Sequence, residues 1–234
     1  MYKTNIEWTD YTWKIITGCN FNCPYCYTKR FLKDRTPRFH PHLLNAPLKF
    51  KDPCVIFVAN TGEMWGEWVK EEWIMEIMKV IKQCPQHIFQ LLTKNPKRML
   101  DWTQNTGQFL PNIWAGTTIT KQEDLERVDI IKKVDAKVKF LSIEPILGSI
   151  DYPSFKGIDW IIIGAESIHK SYIPKDVISA QKWAKPLIEK VRQEKILLFL
   201  KPNLQWPERI KQMPAVFKGK LRQELLEAKE KISK

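Results

Sequence analysis

Several things are missing from this 234-residue chain, and each absence removes a class of function. No apolar run approaches the roughly 20 residues that a membrane-spanning helix needs. The opening stretch MYKTNIEWTD lacks the charged-then-apolar pattern of a secretion signal, so a cytoplasmic location is expected. A P-loop, a Ser-His-Asp signature and a G-x-G-x-x-G dinucleotide fingerprint are all lacking. There is no internal repeat, and no linker suggests a second domain. Acidic residues are the scarcer charge, 26 against 38 Lys and Arg, leaving +12. Such an excess attracts polyanions, so nucleic acid or a nucleotide is the expected partner class.

Cysteine is sparse but unevenly spent. Of five, three fall within eight residues at positions 19, 23 and 26, while Cys54 and Cys84 stand apart. In a cytoplasmic chain an odd, clustered set favours metal ligation over disulfides. Cys54 opens an apolar run and Cys84 closes a helix-like one, where each is expected as a small buried hydrophobe.

Hydrophobic residues make up 44% of the chain, which supports one packed domain over residues 1–234. Short apolar runs at 13–17, 55–60, 88–93, 113–118, 138–143, 160–164 and 196–200 have the look of parallel strands buried on both faces. Between them, Trp73, Ile74, Ile77, Met78 and Ile81 share one helical face. Leu125, Val128, Ile131 and Val134 share another, and Ala180, Ala184, Leu187, Ile188 and Val191 a third. This alternation predicts an α/β fold with right-handed crossovers, as a partial (β/α) barrel of six to seven parallel strands. Residues 34–53 (DRTPRFHPHLLNAPLKFKDP), rich in Pro, Arg and Lys, read as a surface excursion. Leu221, Leu225, Ala228 and Ile232 suggest a C-terminal packing helix from about residue 215.

The first strand runs into Gly18, Cys19, Asn20, Phe21, Asn22, Cys23, Pro24, Tyr25 and Cys26. A C-x3-C-x2-C loop gathers three soft ligands, which suit an iron–sulfur cluster or zinc. A structural zinc site wants a fourth ligand, for which His40, His42 and Cys54 are the candidates. The spacing, the aromatic Tyr25 before the third cysteine and the place after strand one resemble the radical-SAM superfamily. That resemblance implies a partial barrel and a [4Fe–4S] cluster on Cys19, Cys23 and Cys26. It also implies S-adenosylmethionine cleaved to a 5′-deoxyadenosyl radical, and an external electron donor. The chain also resembles a phage-associated family of three-cysteine-motif proteins classed as a domain of unknown function. The likeness is carried by Ile6, Glu7, Trp8 and Thr9, the cysteine loop, IFVANTGEMW, IFQLLTKNPKRM, LPNIWAGTTI, VKFLSIEPILGSID, IDWIIIGAES and LLFLK.

Parallel barrels place function just past the C-terminal ends of their strands. After strand two come Asn60, Thr61, Gly62 and Glu63, which resemble the glycine-rich turn receiving the amino group of S-adenosylmethionine. Thr61 departs from the usual pair of glycines. Strand four ends in Gly116, Thr117 and Thr118, small polar groups that could meet a ribose or adenine, so Tyr25, Gly62, Glu63 and Thr117 are the expected cofactor contacts. Lys94, Glu144, Glu166 and Lys201 recur at the ends of strands three, five, six and seven, as candidates for catalysis. Lys29 and Arg30, behind the cluster loop, and Lys97 and Arg98, behind strand three, are candidate phosphate contacts. Trp65 and Trp68, behind Glu63, could stack a base or adenine, but core packing is the expectation for both. Two other functions remain open: a zinc- or cluster-stapled nucleic-acid-binding protein without catalysis, and a radical enzyme acting on a peptide or partner protein.

Overall fold

The computed structural model describes residues 1–30, 32–168 and 173–215. The expected C-terminal helix with Leu221, Leu225, Ala228 and Ile232 lies outside the described residues, as does the side chain of Arg30. The strands are β1 (Tyr2–Lys3), β2 (Tyr11–Trp13), β3 (Ile16–Thr17), β4 (Arg38–Phe39), β5 (Val55–Val58), β6 (Ile88–Thr93), β7 (Ile113–Thr118), β8 (Val138–Ile143), β9 (Trp160–Ile163), β10 (Ser167–Ile168), β11 (Ile173–Pro174) and β12 (Leu197–Leu200). Among the described residues four α-helices lie between them: α1 (Glu71–Gln83), α2 (Pro96–Thr106), α3 (Glu126–Lys133) and α4 (Val177–Gln193).

One eight-stranded sheet carries the fold, in the order β1-β2-β5-β6-β7-β8-β9-β12. From β2 onward every neighbouring pair is parallel, and β1 alone runs antiparallel to its neighbour. The expectation of buried parallel strands is met: β5, β7 and β9 are buried along their whole length.

Alternate residues of each strand serve two cores. On one face Ile113, Ala115, Leu141, Ile161 and Ile163 meet the buried stripes of all four helices. On the other, Trp8, Phe57, Trp114, Phe140, Trp160, Ile162 and Phe199 form an aromatic cluster to which no helix among the described residues contributes. Trp160 is its hub, with ring centroids 5.8 Å from Trp114, 6.2 Å from Trp8 and 6.3 Å from Phe199. A doubly wound sheet would have helices on both faces. Among the described residues they cover one, and aromatic residues of the other line a cavity.

Two local expectations need correction. The run at 13–17 is not one strand: it divides into β2 and β3, and β3 leaves the sheet to pair with β4. Residues 34–53 therefore do not simply wander over the surface. Phe39 stacks on Trp73 at 5.5 Å, the Leu43 carbonyl accepts the Trp13 indole N–H at 2.8 Å, and Ala46 and Pro47 are buried. Helix α2 had no stripe strong enough to announce it, because only Pro96, Met99 and Thr103 are buried. Its start is nevertheless written locally, with Asn95 capping the Arg98 amide and Pro96 in the first turn.

Candidate active site

A cavity of about 470 Å³ opens at the C-terminal ends of the parallel strands. Cys19, Cys23 and Cys26 line one side of it, together with Tyr25, Gly62, Glu63 and Lys94. Glu144, Glu166 and Lys201 line the same cavity from the ends of β8, β9 and β12. Ten of the residues singled out by the sequence thus share one space although they span more than 180 positions.

The cysteine loop is held mainly through its backbone. Gly18 has φ +80° and forms a parallel bridge with Gly62, and its amide donates to Thr61 O at 3.1 Å. A Cβ on Gly18 would lie 2.3 Å from Thr36 O; one on Gly62 would lie 2.5 Å from Ile16 O. Both glycines are required by close backbone approach. At Gly62 the approaching backbone belongs to β3. The Cys19 amide donates to Arg35 O at 3.0 Å, while the Arg35 guanidinium donates to Cys19 O and to Asn22 Oδ1, both at 3.2 Å. Arg35 also lines the cavity, although in the sequence nothing sets it apart from the other basic residues of its stretch.

Glu63 is the knot between two strand ends. Its Oε1 accepts the Trp65 amide at 2.9 Å and the Thr93 hydroxyl at 2.7 Å, and its Oε2 accepts the Lys94 amide at 3.2 Å. Burial pushes its carboxyl above the ordinary range, while those three bonds and the Lys94 charge pull the other way. Burial likewise pushes the Cys19 thiol up to about 11, with Glu63 and Cys23 adding to the shift and the Phe21 amide and Lys94 opposing it. Tyr25 is raised by burial and by neighbouring Cys23, and the Lys94 ammonium stands 5.7 Å from its ring centre.

The other expected residues are placed differently. Thr117 does not line the cavity; its hydroxyl donates to Thr93 O at 2.9 Å, between strands, and Thr118 faces the cavity instead. Side chains alternate along β7, so the choice between adjacent threonines depends on register. Arg98 donates to the carbonyls of Gly66 and Val69, which ties down the loop before α1. Lys29 and Lys97 are exposed and lie off the cavity wall. Trp65 is fully buried as expected, whereas Trp68 is half-buried and packs edge-on against Phe21 of the cysteine loop at 5.0 Å.

An iron–sulfur cluster held by three thiolates needs soft donors, access, and a coordination position left open. Three half-buried thiols on one cavity-lining loop supply the donors and the access. None of the fourth ligands considered for zinc lines the cavity: His40 bonds to Thr17 Oγ1 at 2.8 Å, His42 is exposed, and Cys54 is buried against His87 at 3.4 Å. Among the described residues no three His, Cys, Asp or Glu side chains converge closely enough to hold a single metal ion. The three thiols match a cluster in the kind of donor and in sharing one cavity wall.

No curated protein matches the chain. Among solved structures, spore photoproduct lyase complexed with dinucleoside spore photoproduct has a similar fold, with a TM-score of 0.50 and 14% identity over 80% of this chain. The chain spans 61% of that lyase's length. A variant of the same lyase gives 0.48 and 13%, over 95% of this chain and 73% of the other. A profile of a family described as proteins of unknown function (DUF5131) matches residues 3–230, so the chain belongs to that family.

Proposed function

We propose that this protein is a radical-SAM-type enzyme that acts on nucleic acid or a nucleotide. One observation carries the reading: three cysteines of a C-x3-C-x2-C loop and the charged ends of four parallel strands line a single cavity. Cys19, Cys23 and Cys26 would hold a [4Fe–4S] cluster, and S-adenosylmethionine would lie beside it. When bound, the two supply reductive cleavage of S-adenosylmethionine and hydrogen abstraction from a substrate carbon.

The chain's own residues bind, orient and keep water out. Glu63 Oε2, whose one bond in the structure is to an amide at 3.2 Å, retains acceptor capacity for the ammonium of S-adenosylmethionine. The bonds on Oε1 fix that carboxylate in place. Ile6, Trp8, Phe57 and Leu92 give the cavity an apolar lining, which strengthens polar contacts made within it. The substrate class rests on the +12 charge. The lyase of similar fold was crystallised with a dinucleoside, which agrees with that class. An external electron donor must deliver the electron, and a partner protein is compatible with the open cavity.

Anaerobic reconstitution tests this directly. Loaded protein should carry about four irons with matching sulfide, and should release 5′-deoxyadenosine and methionine from S-adenosylmethionine. A survey of nucleic acids and nucleotides should find one that accelerates release. Stoichiometric zinc without sulfide in strictly anaerobic protein would contradict the reading and favour a stapled binding protein.

A further inference from the structure

The end of the cavity remote from the cysteines is built across a strand. Glu144 follows β8 and Lys201 follows β12, and β9 runs between those two strands. Their side chains form an ion pair all the same. Gly164, at the end of β9, makes this possible. A Cβ there would lie 3.2 Å from Glu144 Cγ, 3.2 Å from Lys201 Cδ and 3.1 Å from Asn203 Oδ1. A residue with a side chain at 164 would press into both partners.

This pair is set well in from solvent, with 10% of the Lys201 side chain and 24% of the Glu144 side chain exposed. Removing two charges from water is unfavourable, so such a pair is weak evidence for stability and stronger evidence for a use. Glu144 meets Lys201 through Oε1, and the carboxylate, whose residue lines the cavity, keeps acceptor capacity on Oε2. Nearby, buried Asn203 donates to Ala165 O at 2.6 Å and to Ser167 Oγ at 2.8 Å, which leaves its own Oδ1 without a partner. Buried acceptors left unsatisfied are costly and call for an explanation.

Charge decides what fits here. Glu144 offsets Lys201, and Glu166, held 3.4 Å from Lys175, adds a further carboxylate. A phosphate gains nothing from that end. The other cations of the cavity wall, Lys94 and Arg35, stand at the cysteine side, Lys94 beside Glu63 and Arg35 on the Cys19 carbonyl. The ligand suited to the remote end is neutral and presents an N–H donor next to an acceptor, which describes the hydrogen-bonding edge of a nucleobase.

We propose that the β8–β9–β12 end of the cavity is a nucleobase subsite. Glu144 accepts an N–H of the base, Lys201 donates to the acceptor beside it, and the phosphates stay at the basic rim. The inference rests on the nucleic-acid reading above and specifies how the substrate enters. A base reaching this depth must leave its stack, so single-stranded or locally opened nucleic acid is the form that enters.

Equilibrium dialysis of the full chain against guanosine, cytidine and thymidine tests the proposal, with adenosine set aside because it is part of S-adenosylmethionine. At least one of the three should bind, and Glu144→Gln and Lys201→Met should each weaken it by about tenfold or more. Glu144→Asp, which keeps the charge but shortens the reach, should weaken binding while leaving the thermal midpoint near that of the parent. A variant with all three cysteines replaced by alanine should keep its nucleoside affinity, so failure of the subsite and failure of the radical reading separate. The proposal is overturned if no nucleoside binds, or if these substitutions leave nucleoside affinity unchanged. It is equally overturned if they reduce affinity for S-adenosylmethionine instead, or if inorganic phosphate or a simple alkylamine competes at this end.

Discussion

The two ends of the cavity are assembled by different means. At the cysteine end the chain leaves regular structure, and main-chain contacts set the geometry: Gly18 against Thr36, Gly62 against Ile16, and Arg35 bonded to the Cys19 carbonyl. At the other end, side chains projecting from rigid strand ends meet across β9. A loop that must present three thiols to one cavity depends on backbone positions that tolerate no Cβ. A strand-end site depends on which strands are neighbours. Substitutions should therefore fail differently at the two ends.

The largest difference should appear in metal content. Replacing any one of Cys19, Cys23 or Cys26 by alanine should abolish iron and sulfide binding, measured after anaerobic reconstitution. Cys54→Ala and Cys84→Ala, both buried away from the cavity, should retain the full complement and lose about 1 kcal/mol of stability. Cluster loss from either distal variant would break the distinction between ligating and packing cysteines.

Glycine substitutions come next. Gly18→Ala should cost about 2–4 kcal/mol in denaturant melts, because it combines a left-handed φ with a backbone clash. Gly164→Ala meets softer neighbours and should cost about 1–2 kcal/mol. It should leave cluster content intact while separating Glu144 from Lys201. Equal costs at the two positions would contradict a backbone-built end and a side-chain-built end.

A smaller pair sharpens the account of the basic residues. Arg98→Ala should cost about 1–2 kcal/mol by releasing the carbonyls of Gly66 and Val69. Lys97→Ala, at an exposed position, should stay within about 0.5 kcal/mol of the parent. If both change stability equally, Arg98 is no clamp.

The smallest effect is on pH dependence, far from the cavity. Burial lowers the pKa of His87, against the bonds that its ring makes to Pro47 O and Phe50 O. In the unfolded chain this histidine takes up a proton near pH 6.5. Stability should thus be full above that pH and decline as pH falls toward the depressed folded value. His87→Gln should flatten this decline in chemical melts, and an unchanged profile would show that other groups set it.

Much of this was legible because parallel strands and a metal motif are local patterns. The runs at 88–93, 113–118 and 138–143 coincide with β6, β7 and β8, since continuous β-branched and apolar runs bounded by polar turns leave little choice. The rule that function follows strand ends groups Lys94, Glu144, Glu166 and Lys201, and all four line one cavity. What escaped depends on neighbours in space. The pairing of Glu144 with Lys201 needs the order β8-β9-β12, which no run of residues states. The choice of Thr118 over Thr117 needs register, and the inward role of Arg35 needs the β3–β4 pairing that folds its segment back. Arg98 shares the composition of a phosphate contact, and only its bonds to Gly66 and Val69 reveal a clamp.

One measurement reaches the central claim most directly. Anaerobically loaded, reduced protein should give the EPR signal of a [4Fe–4S]⁺ cluster, and added S-adenosylmethionine should change that signal's g-values and line shape. Glu63→Ala should demand about 5- to 150-fold more S-adenosylmethionine for the same change, because a charge-assisted bond worth about 1–3 kcal/mol is lost. A fully loaded, reduced cluster whose spectrum does not respond to saturating S-adenosylmethionine would contradict the account, whatever the likeness of the cysteine loop.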